Sequence, residues 1–269
     1  YVASRLRTLL KDSGLVASHS DCDRVQDPYS MRCMPQVHGA SRDAWRHLNE
    51  RVLCEINSVT DNPIIFADET ISGGNFHGEP LALPLDYACL AASEIGSISE
   101  RRTYLMLEGK FGLPTLLMKD TGINSGFMIP QYTAAALASE NKTLCFPASA
   151  DSIPTSIGQE DHVSMGSISG RKAYQVLDNL ENILAVELLC AAQAFDFRRP
   201  LKSSTVLESC HELVREKITH AEDDRLLGED MAKACDIIAK GELIQTANKA
   251  AKDNGLDLLG QDFTNYHLI

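Results

Sequence analysis

Two short stretches gather side chains able to act on a small charged molecule. In Arg24-Val25-Gln26-Asp27-Pro28-Tyr29-Ser30-Met31-Arg32, Asp27 followed by Pro28 reads as an N-cap and a first helical residue, because proline's missing N–H costs nothing there. Pro35 holds that helix to about two turns. Tyr29 and Arg32 then stand side by side at i and i+3, with Gln26 just outside the cap and leaning the same way. A guanidinium fork grips a carboxylate bidentately, and a phenol beside a cation can give or take a proton. On physics alone the stretch is more often a capped surface helix with one snorkelling arginine.

The second stretch is Ser156-Ile157-Gly158-Gln159-Glu160-Asp161-His162. Ser156 and Gln159 fit a capping box, which puts Glu160 in the first turn of a helix, where the positive helix end favours an ionised carboxylate. Such a group can hold an imidazole or ammonium, or serve only the helix dipole. Successive helical residues diverge by about 100°, so Glu160, Asp161 and His162 are not one metal cluster. Asp161, His162 and Ser164 are likewise not a hydrolase triad. Gly73-Gly74-Asn75-Phe76-His77-Gly78 has neither dinucleotide nor P-loop spacing, and no Lys follows. It reads as a plain turn, or as a loop laid against a ligand with Phe76 as a wall.

Helical patterns carry these residues. Residues 2–13 predict a helix ending near Gly14, followed by a polar loop to Asp27. Ser41 reads as the N-cap of a helix bearing Trp45, Leu48, Val52 and Ile56, which ends before Pro63. Ile64-Ile65-Phe66 is a brief strand or extended segment, and Pro80 and Pro84 predict irregular chain up to Asp86. Helices are then expected over 86–107 (Ala91, Ile95, Ile98 and Leu105 on one side), 125–145 (Ala134, Ala135, Ala136, Ala138) and 166–195. The last has a stripe of Ala173, Val176, Leu177, Leu180, Ile183, Leu184, Leu188, Ala191 and Phe195, with Arg171, Lys172, Gln175, Asp178, Asn179 and Asn182 away from it. At roughly 45 Å, such a helix needs a bundle around it, often one shared between subunits. Pro200 breaks the chain before patterns at 205–218 and 229–240. The last thirty residues are nearly aperiodic and receive no assignment. No repeat or low-complexity linker interrupts what reads as one helical architecture.

The totals exclude several classes of partner. The 269 residues are 44% hydrophobic and 23% charged, with one Trp and a net charge of −12, so nucleic acid and acidic membrane surfaces are excluded as partners. No apolar run is expected to span a membrane, and the first residues lack a signal-peptide layout. Eight cysteines (22, 33, 54, 89, 145, 190, 210, 235) stand singly. They suggest reduced cytoplasmic thiols rather than disulfides or a zinc site. Tyr1 already lies inside an amphipathic pattern (Val2, Leu6, Leu9, Leu10), which reads as a cut piece or one subunit of a larger assembly.

Five segments in a fixed order resemble the C-terminal half of the histidine ammonia-lyases, a branch of the aromatic amino-acid lyase family. They are Arg24 to Arg32, Ser58-Val59-Thr60-Asp61-Asn62-Pro63, Ser72-Gly73-Gly74-Asn75-Phe76-His77-Gly78, Asn124-Ser125-Gly126-Phe127-Met128, and Gln159-Glu160-Asp161-His162-Val163-Ser164-Met165-Gly166. The resemblance runs from about residue 20 to 202.

It implies a mainly α fold, a long-helix bundle of the aromatic amino-acid lyase and fumarase–aspartase type, assembled as an intertwined homotetramer. Residues 1–269 would be the C-terminal portion of a single helical domain: 1–200 the active-site and central-bundle part, 201–269 a helical end. The implied reaction is non-oxidative elimination of ammonia from L-histidine to give trans-urocanate, the first step of histidine breakdown.

The family's electrophile, 4-methylidene-imidazol-5-one (MIO), forms from an internal Ala-Ser-Gly. None occurs here, so the resemblance implies that an N-terminal portion supplies it and that this chain alone is inactive. No metal is implied. By position, Arg32 would clamp the substrate carboxylate. Gln26 and Asn62 would place the carboxylate and prosthetic ring by neutral hydrogen bonds. Tyr29 would act near the β-carbon, Phe76 would wall the ring, Glu160 would face the imidazole, and Gln159 and Met128 would be further substrate-binding residues. Relatives acting on phenylalanine typically carry Lys at the position of Met128 and Gln at that of Glu160, which favours histidine here. Gly158 departs from the polar residue of many relatives and loosens the loop before Glu160. The rival readings are a phenylalanine or tyrosine ammonia-lyase or aminomutase, and a non-catalytic helical assembly subunit.

Overall fold

The computed structural model describes residues 1–258, which are mostly helical. The chain opens with α1 (Val2–Leu9) and the single-turn α2 (Gly14–Ala17). The helix expected over 2–13 is shorter because Asp12 turns to φ 58. Ser13 Oγ then accepts the Val16 N–H at 3.3 Å, so Gly14 opens a new helix instead of closing the first. In α3 (Tyr29–Arg32), Pro28 is extended at ψ 149 and takes the cap position itself, which corrects the assignment of Asp27 as N-cap. Pro35 does not end α3. It lies in the first turn of α4 (Met34–Ile56), where no N–H is needed, and Ser41, expected as a cap, is buried inside that helix.

A two-residue strand β1 (Ile64–Ile65) pairs antiparallel with β2 (Thr70–Ile71), Ile64 opposite Ile71. The long α5 (Glu79–Leu107) then starts well ahead of Asp86. Pro80 fits its first turn, and Pro84 removes one hydrogen bond near the start of the helix. Burial of Ala82, Ala88, Cys89 and Ala92 outweighs that loss. By length and composition α5 is the one described helix able to cross a membrane, contrary to the sequence expectation. Half of its most apolar window is buried inside the protein, and paired charges at Asp86, Glu100 and Arg102 mark it as a core helix. The other long helices are α6 (Met128–Leu144) and α7 (Gly166–Asp196). On α7 the expected stripe is buried at Ala173, Val176, Leu180 and Ile183, but Asn179 is buried too, at 3% exposure. Its amide donates to Asn141 Oδ1 at 2.9 Å and Glu140 Oε2 at 2.7 Å, which is what permits a polar group there.

The chain divides into two compact units. The first holds Tyr1–Gly39, Gly96–Leu137 and the chain from Glu181 onward. In it Glu187 of α7 accepts from Ser99 Oγ at 2.5 Å and pairs with Arg102 of α5, joining the two helices by a half-buried charge cluster. Three helices close this unit: α8 (Thr205–Lys217), α9 (Leu227–Ala239) and α10 (Glu242–Asp253). α10 lies where no assignment was made, and its Ala250 and Ala251 pack with Val206 and Leu258. The rest of the unassigned stretch, 259–269, lies outside the described residues. The second unit holds Ala40–Ile95 and Ala138–Leu180. There Asp86 pairs with Lys172 at 2.8 Å and accepts the Ser149 N–H at 2.7 Å. Burial pushes the Cys89 thiol up to about 11, so it acts as a small hydrophobe, as expected.

At the end of α7, Asp196 draws together His211 (2.8 Å), Arg215 (2.8 Å) and His220 (2.8 Å). Burial raises its carboxyl pKa, but the hydrogen bond from His220 and the charges of Arg215 and His211 outweigh this and hold it below its ordinary value of 3.8. A depressed carboxyl stabilises fully above its unfolded pKa, and that contribution is lost as pH falls through the folded one. Asp196→Asn is therefore expected to melt at lower temperature than the native chain at neutral pH, with the gap narrowing as the pH falls below the ordinary carboxyl value and closing through the lower folded one. Circular dichroism melts read this, and a gap that does not change with pH would remove Asp196 from the acid response.

Candidate active site

Four of the expected site residues belong to the first unit: Gln26, Tyr29, Arg32 and Met128. Gln26 and Tyr29 share a cleft of about 560 Å³ whose other walls are Arg24, Asp27, Pro28, Lys110 and Phe111. That volume suits an amino acid-sized ligand. Tyr29 is 68% exposed, its hydroxyl free to meet a ligand or another chain. Arg32 closes the single turn of α3, with its amide bonded to the Pro28 carbonyl at 2.9 Å. Its side chain is exposed, does not line the cleft, and has no carboxylate partner among the described residues. A guanidinium so placed keeps its full capacity for an anionic ligand. Met128, half-buried, opens α6 and does not line the cleft. The turn before it is held by Asp224, whose two carboxylate oxygens accept the N–H groups of Ser125 and Gly126 at 2.8 Å each.

The other four lie in the second unit: Asn62, Phe76, Gln159 and Glu160. Asn62 Oδ1 accepts from Ser72 Oγ at 3.1 Å and from the Gly73 N–H at 3.0 Å, which pins the glycine loop; its amide NH₂, a neutral donor, has no partner among the described residues. Phe76 stands on that loop at 56% exposure. Glu160 is not in a helix. Ser156, Ile157 and Gly158 take φ of 49, 58 and 84, a left-handed turn that excludes the expected capping box, and Gln159 follows it with an exposed side chain.

The turn has a consequence for charge. Thr155 Oγ1 and Ser156 Oγ both donate to Glu160 Oε2, at 2.5 and 3.0 Å, and these bonds, Thr155 first, lower the carboxyl pKa. Left-handed backbone at Ile157, a β-branched residue fully exposed to solvent, stores strain of about 1–3 kcal/mol with no packing return. Strain of that kind is characteristic of a site held ready for a ligand. At Gly158 the left-handed conformation is suited to glycine, so its departure from a polar residue closes the turn.

Sequence reasoning missed several neighbours. Arg24 lies over the Phe111 ring at 3.7 Å, a cation–π contact between residues 87 positions apart that forms one wall of the cleft. Thr155 was not read as a partner of Glu160, although hydroxyls at 155 and 156 just ahead of a carboxylate were the available signal. His77 and His162, within quoted motifs, stack on each other.

Long helices joined by polar contacts, with exposed polar and aromatic side chains on short turns and loops, define a helical scaffold. The chain belongs to the aromatic amino acid lyase family, whose family model matches residues 1–216. It is 51% identical over 251 residues to a histidine ammonia-lyase of Natranaerobius thermophilus, a match covering 92% of this chain and 49% of that protein. Among solved structures it is similar to histidine ammonia-lyase from Trypanosoma cruzi, with 44% identity, a TM-score of 0.84, and coverage of 93% of this chain and 47% of that one. It is also similar to tyrosine aminomutase from Streptomyces globisporus, at 35% identity and a TM-score of 0.84 over 92% of this chain and 51% of that one. The chain thus spans about half the length of the curated relatives it matches.

Proposed function

We propose that the chain is the C-terminal part of a histidine ammonia-lyase, eliminating ammonia from L-histidine to give trans-urocanate in histidine breakdown. The observation that carries this is Glu160: an exposed carboxylate, held ionised by two hydroxyls on a strained turn, in the same unit as an exposed phenyl ring. A carboxylate there accepts an imidazole N–H and would be poorly matched to a bare phenyl group.

In this reading the substrate carboxylate binds Arg32 through its guanidinium fork. Tyr29 holds or moves a proton near the β-carbon, where the Cβ–H bond breaks as ammonia leaves the α-carbon. Phe76 covers the imidazole. The free amide NH₂ of Asn62 and the amide of Gln26, neutral donors, suit the carbonyl of an MIO ring, so the residues present fit that group. When bound, the group makes the amine a better leaving group. Its Ala-Ser-Gly precursor is absent from this sequence, so an N-terminal portion supplies it, as a joined or a separate chain.

We take the assembly to be a homotetramer; exposed Leu83, Tyr87, Leu90 and Tyr104 on α5 and Tyr174 on α7 support a covering partner, whether the N-terminal portion or another copy. Free cysteines, two of them fully buried, suit the cytoplasm.

The test is to produce the chain with its N-terminal portion and follow urocanate absorbance against histidine and phenylalanine. Turnover of histidine in preference, and none by the chain alone, is expected. Preference for phenylalanine or tyrosine overturns the substrate, and a tetramer idle with all three amino acids overturns the enzyme in favour of an assembly subunit.

A further inference from the structure

Phe76 and Glu160 stand on separate loops of the second unit, the first pinned by Asn62 and the second closed by a short 3-10 turn and a bridge between Thr155 and Glu160. What joins the loops is a pair of histidines beside them in the chain. His77 Nδ1 accepts the Glu79 N–H, at the start of α5, at 3.3 Å. That leaves the ring proton on Nε2, which donates to the His162 carbonyl at 3.3 Å. The His162 ring stacks on His77 with centroids 5.5 Å apart and planes 27° apart, its Nδ1 3.5 Å from His77 Nε2. Next to the pair the two segments approach closely: a methyl group on Gly78 would sit 2.7 Å from Ser164 Oγ, which would have to turn away. Beyond His162, the Val163 N–H donates to Ser152 Oγ at 2.9 Å. His77 adjoins Phe76, and His162 lies two residues after Glu160, so one clasp ties the two loops to each other.

We infer that His77, through His162, is a positioning residue that holds the Glu160 carboxylate and the Phe76 ring at one fixed separation, and so sets how tightly an imidazole is gripped between them. The substrate named here rests on the function proposed above; the clasp itself rests on the geometry alone. His77→Leu removes both hydrogen bonds. His77→Gln keeps an N–H at the distance of Nε2.

In the enzyme completed with its N-terminal portion, His77→Leu is expected to lower kcat/KM for histidine about tenfold, mainly through KM, and His77→Gln to keep most of it. In a Glu160→Gln background the same His77→Leu change should cost less than about threefold, because its effect passes through the carboxylate already removed. An equal loss in both backgrounds, or no advantage of Gln over Leu, makes His77 merely structural and overturns the proposal. Hydrogen exchange over residues 155–163 tests the clasp without activity: faster exchange in His77→Leu than in His77→Gln supports it, and equal exchange overturns it. Should the unsubstituted enzyme fail to turn over histidine, the substrate falls and the exchange result still decides the clasp.

Discussion

Arg32→Ala in the completed enzyme is expected to reduce kcat/KM for histidine by roughly a hundred- to a thousandfold. Truncating one partner of a desolvated, hydrogen-bonded charge pair typically costs 2–5 kcal/mol, and each 1.4 kcal/mol is a factor of ten. Arg24 lies over the face of Phe111, and Arg102 pairs with Glu187, Arg215 with Asp196 and Arg225 with Asp230, whereas Arg32 has no carboxylate partner among the described residues. Its exposed side chain makes the loss specific to binding, so the melting temperature should move little. Arg32→Lys should fall between, since an ammonium keeps the charge and loses the planar fork. Steady-state urocanate assays across histidine concentrations read the effect, which should enter mainly through KM. An unchanged KM takes Arg32 out of the site, and a greater loss for Arg24→Ala moves the carboxylate into the cleft shared by Gln26 and Tyr29.

The long helices were legible because they obey a 3.6-residue period over many turns: α6 and α7 begin and end within three residues of where the apolar stripes do. Proline misled in both directions. Pro35 and Pro80 were read as breaks, yet each occupies a first turn, the one helical place where a missing N–H is harmless. α10 went unassigned although Leu243, Ala247, Ala250 and Ala251 recur at helical spacing among polar residues; the stripe is only 12 residues long and relies on alanines, whose apolar signal is small.

Around the site the residue types were readable and their local backbone was not. Ser156 and Gln159 satisfy a right-handed capping pattern, and only the left-handed dihedrals at 156–158 reveal that the serine serves Glu160 instead. Contacts such as His77 with His162, 85 positions apart, are products of tertiary packing and leave no local signature. Asn179 shows the same limit inside a helix, where a polar residue off the apolar stripe is buried because Glu140 and Asn141 await it.

Glu160→Gln should separate recognition of imidazole from recognition of a plain aromatic ring. A hydrogen bond to a charged group contributes about 1.5–3 kcal/mol, so histidine turnover at limiting substrate should drop by roughly ten- to a hundredfold. Phenylalanine, which offers that carboxylate no N–H, should lose far less or gain. The donors of Thr155 and Ser156 hold the carboxyl below its ordinary value of 4.5, so Glu160 stays ionised throughout the neutral range and its protonation does not shape activity there. Activity that depends on this charge is present above the lowered pKa and is lost only as pH falls through it. Removing both hydroxyls, with Thr155→Val and Ser156→Ala together, should move the acid limit of histidine turnover upward towards the ordinary carboxylate value. A pH–rate profile for each variant with both amino acids measures this. Equal losses for the two substrates in Glu160→Gln would mean that the carboxylate serves the loop and not the ring, and histidine would then have to be recognised elsewhere in the enzyme.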